Sequence, residues 1–349
     1  MSFKKINELE LKFRADGSES IIIRDGSSTK RLESGELMSG RIFSPIFGVN
    51  AYWGEASDIY GNHFSDSITN MRNDIKTWDE HRCDEIIVPI HLSYNKNNKE
   101  FYIVEDLDTV LEGIQYCSGF NIKVTVIKVH LQRVTEDDIM THGINDFKEQ
   151  YKSLLSTIAN TFRNSSITIM TVLNELGWLY ESSDHLAFCK ECLNIAKTVG
   201  YLTGVTCAGF SNFFKIKKDI IDNSDKIFVN SYPRVSAKKD ETSLDDVISG
   251  FSCNNDLKYI RKIKKCYPGK PIIISECGVQ DYWEALMNPE HWKWGEYGFT
   301  ATNGVAPGYY LAGLFETFNI DGVESVWWWY DLRWEATKKT TDKYLKGGK

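Results

Sequence analysis

Two carboxylates, Glu175 and Glu276, each close an apolar run. The first stands in Thr171-Val-Leu-Asn-Glu-Leu-Gly177, where the β-branched stretch Ile167 to Leu173 stops at an amide beside an acid. The second stands about a hundred residues later, in Pro271-Ile-Ile-Ile-Ser-Glu-Cys-Gly278. Buried strands that deliver reactive groups at their C-terminal ends are how parallel α/β barrels build active sites. A pair of carboxylates at one mouth suits cleavage of a glycosidic bond. The leaving oxygen needs a proton, and the oxocarbenium-like centre needs a nucleophile. One Glu must then be protonated near neutral pH and the other ionised, so their surroundings must push their pKa values apart.

The elements that would position them repeat as strand then helix from Arg41 onward. Strands are predicted at Ile42–Val49, Glu85–His91, Ile122–His130, Ile167–Leu173, Thr203–Ala208, Lys226–Tyr232, from Pro271, and at Gly322–Tyr330. Helices are predicted near 66–80, 104–117, 145–162, 184–198, 215–223 and 255–266, with another ending near Phe318 after a Trp- and Gly-rich loop, Tyr282–Gly308. Eight strands separated by helices match a closed α/β (β/α)8 TIM barrel better than an open doubly wound sheet. No Gly-rich phosphate fingerprint follows any strand. Residues 1–40 differ. Leu9-Glu-Leu-Lys-Phe alternates, and Asp16-Gly17 and Asp25-Gly26 are turn signals, so a short N-terminal β-hairpin extension is predicted ahead of a catalytic domain at 41–349.

In a barrel the strand ends also bring Asn50, Tyr52 and Trp53, His91, His130, Asn174, Tyr232 and Trp327–Trp329 to the mouth. Amides and histidines offer fixed partners to sugar hydroxyls, and aromatic rings stack on pyranose C–H faces. Strand side chains alternate, so Trp327 and Trp329 are expected on one face and Trp328 on the other. Trp53, Trp178, Trp283, Trp292 and Trp294 fall in predicted mouth-side loops. Each residue also has a plain reading. Glu175 is in place as a helix N-terminal carboxylate, Glu276 as an exposed strand end, Tyr232 as core, and His91 and His130 as structural histidines. The two carboxylates taken together, each after an apolar run, outweigh those readings.

The set Gly48-Val-Asn50, Asn174-Glu175, Asn230-Ser-Tyr232, Ser275-Glu276-Cys-Gly278 and a Trp-rich last strand resembles the clan A glycoside hydrolases, closest to the cellulase/mannanase type, glycoside hydrolase family five. The resemblance covers about residues 41 to 334. It implies that Glu175 is the acid/base and Glu276 the nucleophile. It implies too that Tyr232 contacts the nucleophile, that Trp329 floors the −1 subsite, and that His130 matches a histidine after strand three. Two positions depart. Those enzymes usually carry an arginine in strand two, two residues before a proline; here that residue, before Pro89, is Ile87. Asn230 stands where histidine is common.

The 349 residues, 42% apolar, suffice for one large core, and the net charge of −7 argues against nucleic acid. Lys338, Lys339, Lys343, Lys346 and Lys349 read as a solvated C-terminal tail. No run reaches the eighteen apolar residues of a membrane span, and no signal peptide is visible. The expectation is a cytoplasmic protein, a module exported by another route, or a chain trimmed of its signal. Among eight cysteines, Cys189 and Cys192 form a C-x-x-C pair, read as helical thiols rather than a metal or redox site; a reducing compartment is the simpler account.

The sequence therefore reads as a retaining glycoside hydrolase acting on a β-linked oligo- or polysaccharide, with no metal or organic cofactor. Substrate contacts are expected from Asn50, Trp53, His91, His130, Asn174, Tyr232, Trp327 and Trp329. The alternative is a carbohydrate-binding protein on a hydrolase barrel, without turnover, as a module of a larger assembly. A metal-dependent barrel hydrolase would need more His and Asp at strand ends than His91 and His130 supply.

Overall fold

A computed structural model describes residues 8–13, 19–25, 28–33, 43–53, 64–65, 68–131, 134–236, 241–280, 282–289, 304–329, 332 and 335–345. Eight parallel strands form a closed ring: Ile46–Asn50, Glu85–Asn95, Lys123–Leu131, Ile169–Asn174, Leu202–Ala208, Ile227–Asn230, Ile272–Cys277 and Val323–Trp328. Each pairs with its neighbours in chain order, and the first closes the ring by pairing with both the second and the eighth. The chain is a TIM barrel. Its strands are buried on both faces and read as near-continuous apolar runs, as helix-covered parallel strands do.

The second strand runs past the predicted end at His91 to Asn95. There it turns back as an antiparallel hairpin with Glu100–Ile103, a strand outside the ring. Ahead of the barrel, Glu8–Phe13, Glu19–Asp25 and Ser28–Glu33 form a three-stranded antiparallel sheet, one strand more than the predicted hairpin. The turn at Asp16-Gly17 lies outside the described residues.

Helices fill the outer layer near the predicted places: Ile68–Glu80, Leu107–Tyr116, Ile144–Thr161, Leu186–Val199, Lys218–Asn223, Asp256–Cys266 and Ala306–Phe318. Among the described residues four further helices escaped the sequence reading: Glu136–His142, Gly177–Tyr180, Leu244–Cys253 and Glu335–Leu345. Leu244–Cys253 starts behind a Ser243 cap, whose side chain accepts from the Asp246 amide. Glu335–Leu345 corrects the expected tail. Lys338, Lys339 and Lys343 are exposed, but Thr337, Thr341, Tyr344 and Leu345 are buried, and Tyr344 packs on Phe315. Lys346 and Lys349 lie outside the described residues. Among the described residues no helix is long and apolar enough to cross a membrane. Cys189 and Cys192 are buried thiols on one helix, with burial pushing Cys189 up to about 12.

The barrel interior is stacked in layers. The lowest well-filled one holds Ile87, Val126, Ile169, Phe228, Ile273 and Trp327. Two glycines make room for its large members. A Cβ on Gly48 would lie 2.8 Å from Trp327 Cδ1, and one on Gly204 2.9 Å from Phe228 Cε2. Beneath, the buried carboxylate of Glu85 accepts from Trp327 Nε1 at 2.7 Å and from Thr125 Oγ1 at 2.5 Å. Glu85→Ala is expected to lower unfolding stability by about 2–4 kcal/mol in urea titrations, because it orphans two buried donors. Burial already raises the Glu85 pKa, which offsets part of that loss.

Candidate active site

One layer higher the interior turns polar. Strand side chains repeat every second residue on one face, so Val126 in the apolar layer is followed by Lys128 and then His130. By the same rule Ile169 is followed by Thr171, Phe228 by Asn230, and Ile273 by Ser275. Of these, His130 and Asn230 line a cavity of about 530 Å³ at the C-terminal ends of the strands. Both carboxylates reach it, Glu175 from the fourth strand and Glu276 from the seventh.

The fourth strand does something irregular to present its pair. Adjacent strand residues point to opposite faces, yet both Asn174 and Glu175 line the cavity. The backbone achieves this with left-handed φ values of 56° at both Leu173 and Glu175, and the pairing with the fifth strand slips between Val172 and Asn174. Non-glycine residues there cost roughly 1–3 kcal/mol each and persist only where neighbours over-determine them. Here the Leu173 amide donates to Tyr151 Oη at 3.2 Å, and the Glu175 amide to the Thr206 carbonyl at 2.8 Å.

Asn230 is the hub of the polar layer. Its Nδ2 donates to Glu175 Oε1 at 2.7 Å and lies 3.5 Å from Asn174 Oδ1. Its Oδ1 accepts from Ser275 Oγ at 2.8 Å and from Lys128 Nζ at 3.1 Å. Lys128 also donates to the Ser275 carbonyl at 3.1 Å and forms an ion pair with Glu276 Oε1. The other oxygen of Glu276 accepts from Tyr232 Oη at 3.0 Å.

Glu276 is buried while Glu175 is exposed. Burial pushes the Glu276 pKa up to about 7, and the charge of Glu175 adds to that. The Lys128 ammonium and the Tyr232 hydroxyl pull the other way. The upward shift therefore falls on the proposed nucleophile. A nucleophile must be ionised, so kcat/KM is expected to fall as pH drops through about 7. Tyr232→Phe removes a donor that stabilises the anion. Its acid limb is expected to move to higher pH, with kcat/KM about tenfold or more lower, since a hydrogen bond to a charged group contributes about 1.5–3 kcal/mol. A pH–rate profile of the two proteins checks this.

His130 Nδ1 lies 3.0 Å from Asn174 Nδ2. An amide nitrogen can only donate, so Nδ1 accepts and the neutral ring carries its proton on Nε2. Burial, Lys128 and His91 all hold the His130 pKa well below the usual value, which agrees with a neutral ring. That Nε2 is buried, has no hydrogen-bond partner among the described residues and stands 3.9 Å from Glu276 Oε1. It is a donor available to a hydroxyl in the cavity.

The other predicted contacts divide by depth. Trp329 lines the cavity, its ring centroid 6.0 Å from that of His130. Trp327 shares its face but is fully buried two layers down, bonded to Glu85. The expectation that it meets substrate is corrected, because alternation fixes the face and not the depth. His91 is likewise fully buried beside the cavity. Its Nδ1 pairs with Glu105, and its amide donates to Glu105 Oε2 at 2.6 Å, so it supports His130, 5.3 Å away ring to ring. Asn50 donates to the Trp328 carbonyl at 3.1 Å and is buried at the end of the first strand. Trp178 packs toward Phe147 and His185, and Trp283 toward Tyr309. The side chain of Trp53, and Trp292 and Trp294 altogether, lie outside the described residues.

No known family model and no curated protein matches the sequence. Solved structures do match the fold. A GH113 β-1,4-mannanase aligns with TM-score 0.62 at 14% identity, over 85% of this chain and 97% of its own. The GH113 β-mannanase AaManA from Alicyclobacillus acidocaldarius aligns with TM-score 0.62 at 12% identity, over 88% and 97%. A GH5_18 protein from Bifidobacterium longum aligns with TM-score 0.57 at 12% identity, over 86% and 78%. The β-glucuronidase of Ruminococcus gnavus aligns with TM-score 0.54 at 14% identity, over 89% of this chain but only 49% of its own. These glycoside hydrolases share the TIM-barrel fold with this chain.

Against the clan A pattern the two departures acquire a physical meaning. Ile87, where an arginine is usual, is a fully buried member of the apolar layer below the site. The cation that reaches Glu276 comes from the third strand instead. Lys128 and Asn230 were both missed as site residues by sequence reasoning. The available signal for Lys128 was its position two residues before His130, which puts both on one face of a strand.

Proposed function

We propose that this protein is a retaining glycoside hydrolase that cleaves β-linked glycans by double displacement. One observation carries the reading: Glu175 and Glu276 line a single polar cavity, linked to each other through Asn230 and Lys128. Glu276 attacks the anomeric carbon while Glu175 protonates the leaving oxygen. Glu175 then activates the water that releases the sugar. A retaining mechanism requires the two carboxyl groups to stand about 5–5.5 Å apart, and a separation near 9 Å would sink it. The exposure of Glu175 suits a group that must meet both leaving group and water, and the burial of Glu276 suits one that meets only the sugar.

The lining favours a neutral sugar. Among the described residues no Lys or Arg faces the cavity, and Lys128 is spent on Glu276, so a uronate carboxylate finds no counter-charge. Trp329 offers a stacking surface, and His130, Asn212 and Tyr232 offer polar contacts to hydroxyls. The substrate search starts with β-1,4-mannan and Manβ1-4GlcNAc, because neighbours of this fold are a β-1,4-mannanase and a protein solved with that disaccharide. β-Glucans, xylans and cell-wall glycans follow, with an aryl β-glucuronide as the negative control. Reducing-end release, followed by proton NMR of the first-formed anomer, is the test. Retention of the β-anomer supports the proposal. Inversion sinks the mechanism, and glycan binding without release would favour the non-catalytic binder.

A further inference from the structure

We infer that Lys128 is the positioning residue of this site, a third-strand ammonium that holds Glu276 ionised and aimed, and whose counter-anion moves from Glu276 to Glu175 as the reaction proceeds. Naming Glu276 the nucleophile rests on the glycosidase reading; the ion pair does not.

Three geometric facts support it. Lys128 is fully buried inside the barrel, where a lysine is almost never found without a dedicated partner. Its ammonium has three hydrogens, and three acceptors surround it: Glu276 Oε1, Asn230 Oδ1 and the Ser275 carbonyl. Asn230 in turn reaches Glu175 with its amide nitrogen, so one side chain touches both the cation and the second carboxylate.

The groups facing Lys128 are few. Glu276 and Cys277 come from the seventh strand, Glu175 follows the fourth, and His130 lies on its own strand. Tyr232 reaches the far oxygen of Glu276, and the Trp329 ring centroid is 5.7 Å from the ammonium. From the second strand, the paired His91 and Glu105 stand behind His130. Burial pulls the Lys128 pKa down, while Glu276 first and Glu175 second pull it up. Two carboxylates thus share one cation.

That count matches the chemistry. Double displacement starts with Glu276 as the anion and the proton to be transferred on Glu175. In the first step a Glu276 oxygen bonds to the anomeric carbon. The bond to the leaving oxygen breaks with its electron pair, and that oxygen takes the Glu175 proton. Glu276 becomes a neutral ester and Glu175 becomes the anion. The site holds one positive and one negative charge before and after. The buried ammonium is never without an anion, and the ionised Glu175 is the base that the second step needs. An arginine would hold its charge in every state; a lysine ties its charge to that of its partners.

The test is a carboxyl titration of the whole chain, labelled with carbon-13 at the Glu side-chain carboxyl, with the Glu276 resonance assigned by its loss in Glu276→Gln. Wild type, Lys128→Met and Lys128→Arg are compared, with thermal melts confirming that each is folded. The Glu276 midpoint is expected near 7 in wild type, at least one pH unit higher in Lys128→Met, and back at or below the wild-type value in Lys128→Arg. An unmoved midpoint in Lys128→Met overturns the inference. If that variant does not fold, a Lys128→Arg midpoint a unit above wild type overturns it instead. The acid limb of kcat/KM is expected to follow the same midpoints, whereas a merely structural lysine would lower the rate without moving the limb. The titration needs no substrate. A shifted midpoint with no glycan cleaved defeats the glycosidase reading and leaves the ion pair standing. Cleavage with an unmoved midpoint defeats the inference alone.

Discussion

Glu276→Ala is expected to lower kcat on the glycan that wild type cleaves by about 10⁴-fold or more, the scale of losing a covalent nucleophile. The loss follows from position as well as chemistry. Glu276 is buried, clamped on one oxygen by Lys128 and on the other by Tyr232, and no other described carboxylate lines the cavity besides Glu175. The truncation leaves a hole the size of a carboxylate beside a buried ammonium, a ready seat for a small anion. Azide or formate is therefore expected to restore part of the activity on an aryl glycoside and to give a product of inverted configuration. Rates with and without azide, and the anomeric configuration of the glycosyl azide, decide the matter. Wild-type activity in the alanine variant would remove Glu276 from the mechanism.

Glu175→Ala is expected to act selectively. A general acid contributes about 10²–10⁴-fold, and only where the leaving group needs its proton. Cleavage of the natural glycan is expected to fall by that range. The first step on a dinitrophenyl glycoside is expected to survive almost unchanged, because that leaving group departs without help. The second step still lacks its base, so a burst of dinitrophenol followed by slow turnover is the signature, and stopped-flow absorbance reads it. Equal losses on natural and activated substrates would mean that Glu175 acts in some other way.

The parts of this site that were legible in the sequence are those marked by a change of type at the end of an apolar run. Glu175 and Glu276 stand out because each follows several β-branched residues. The alternation of strand and helix between them was enough for the barrel. Lys128 was hidden for the opposite reason. A lysine inside a strand is ordinarily solvent-facing, and although its place two residues before His130 gives the shared face, nothing in Ile-Lys-Val-His marks the carboxylate a hundred and more residues away that pairs with it. Trp327 and Trp329 were placed on the right face, but a barrel has depth as well as sides, and a one-dimensional pattern does not carry it. The helix at Glu335–Leu345 was masked by its own lysines, while the residues that dock it, Thr337, Thr341 and Tyr344, are only weakly apolar.

The two left-handed residues that flank Asn174 have a consequence for how the barrel matures. Each is held by a group from elsewhere, Leu173 by the hydroxyl of Tyr151 on the preceding helix and Glu175 by the carbonyl of Thr206 on the following strand. Without both, the chain relaxes to ordinary extended backbone, and alternation turns one of the two cavity residues away. The corner that presents Asn174 and Glu175 is therefore expected to form late in assembly. It exists only once the neighbours on both sides have docked, and an incomplete barrel has no means of displaying it.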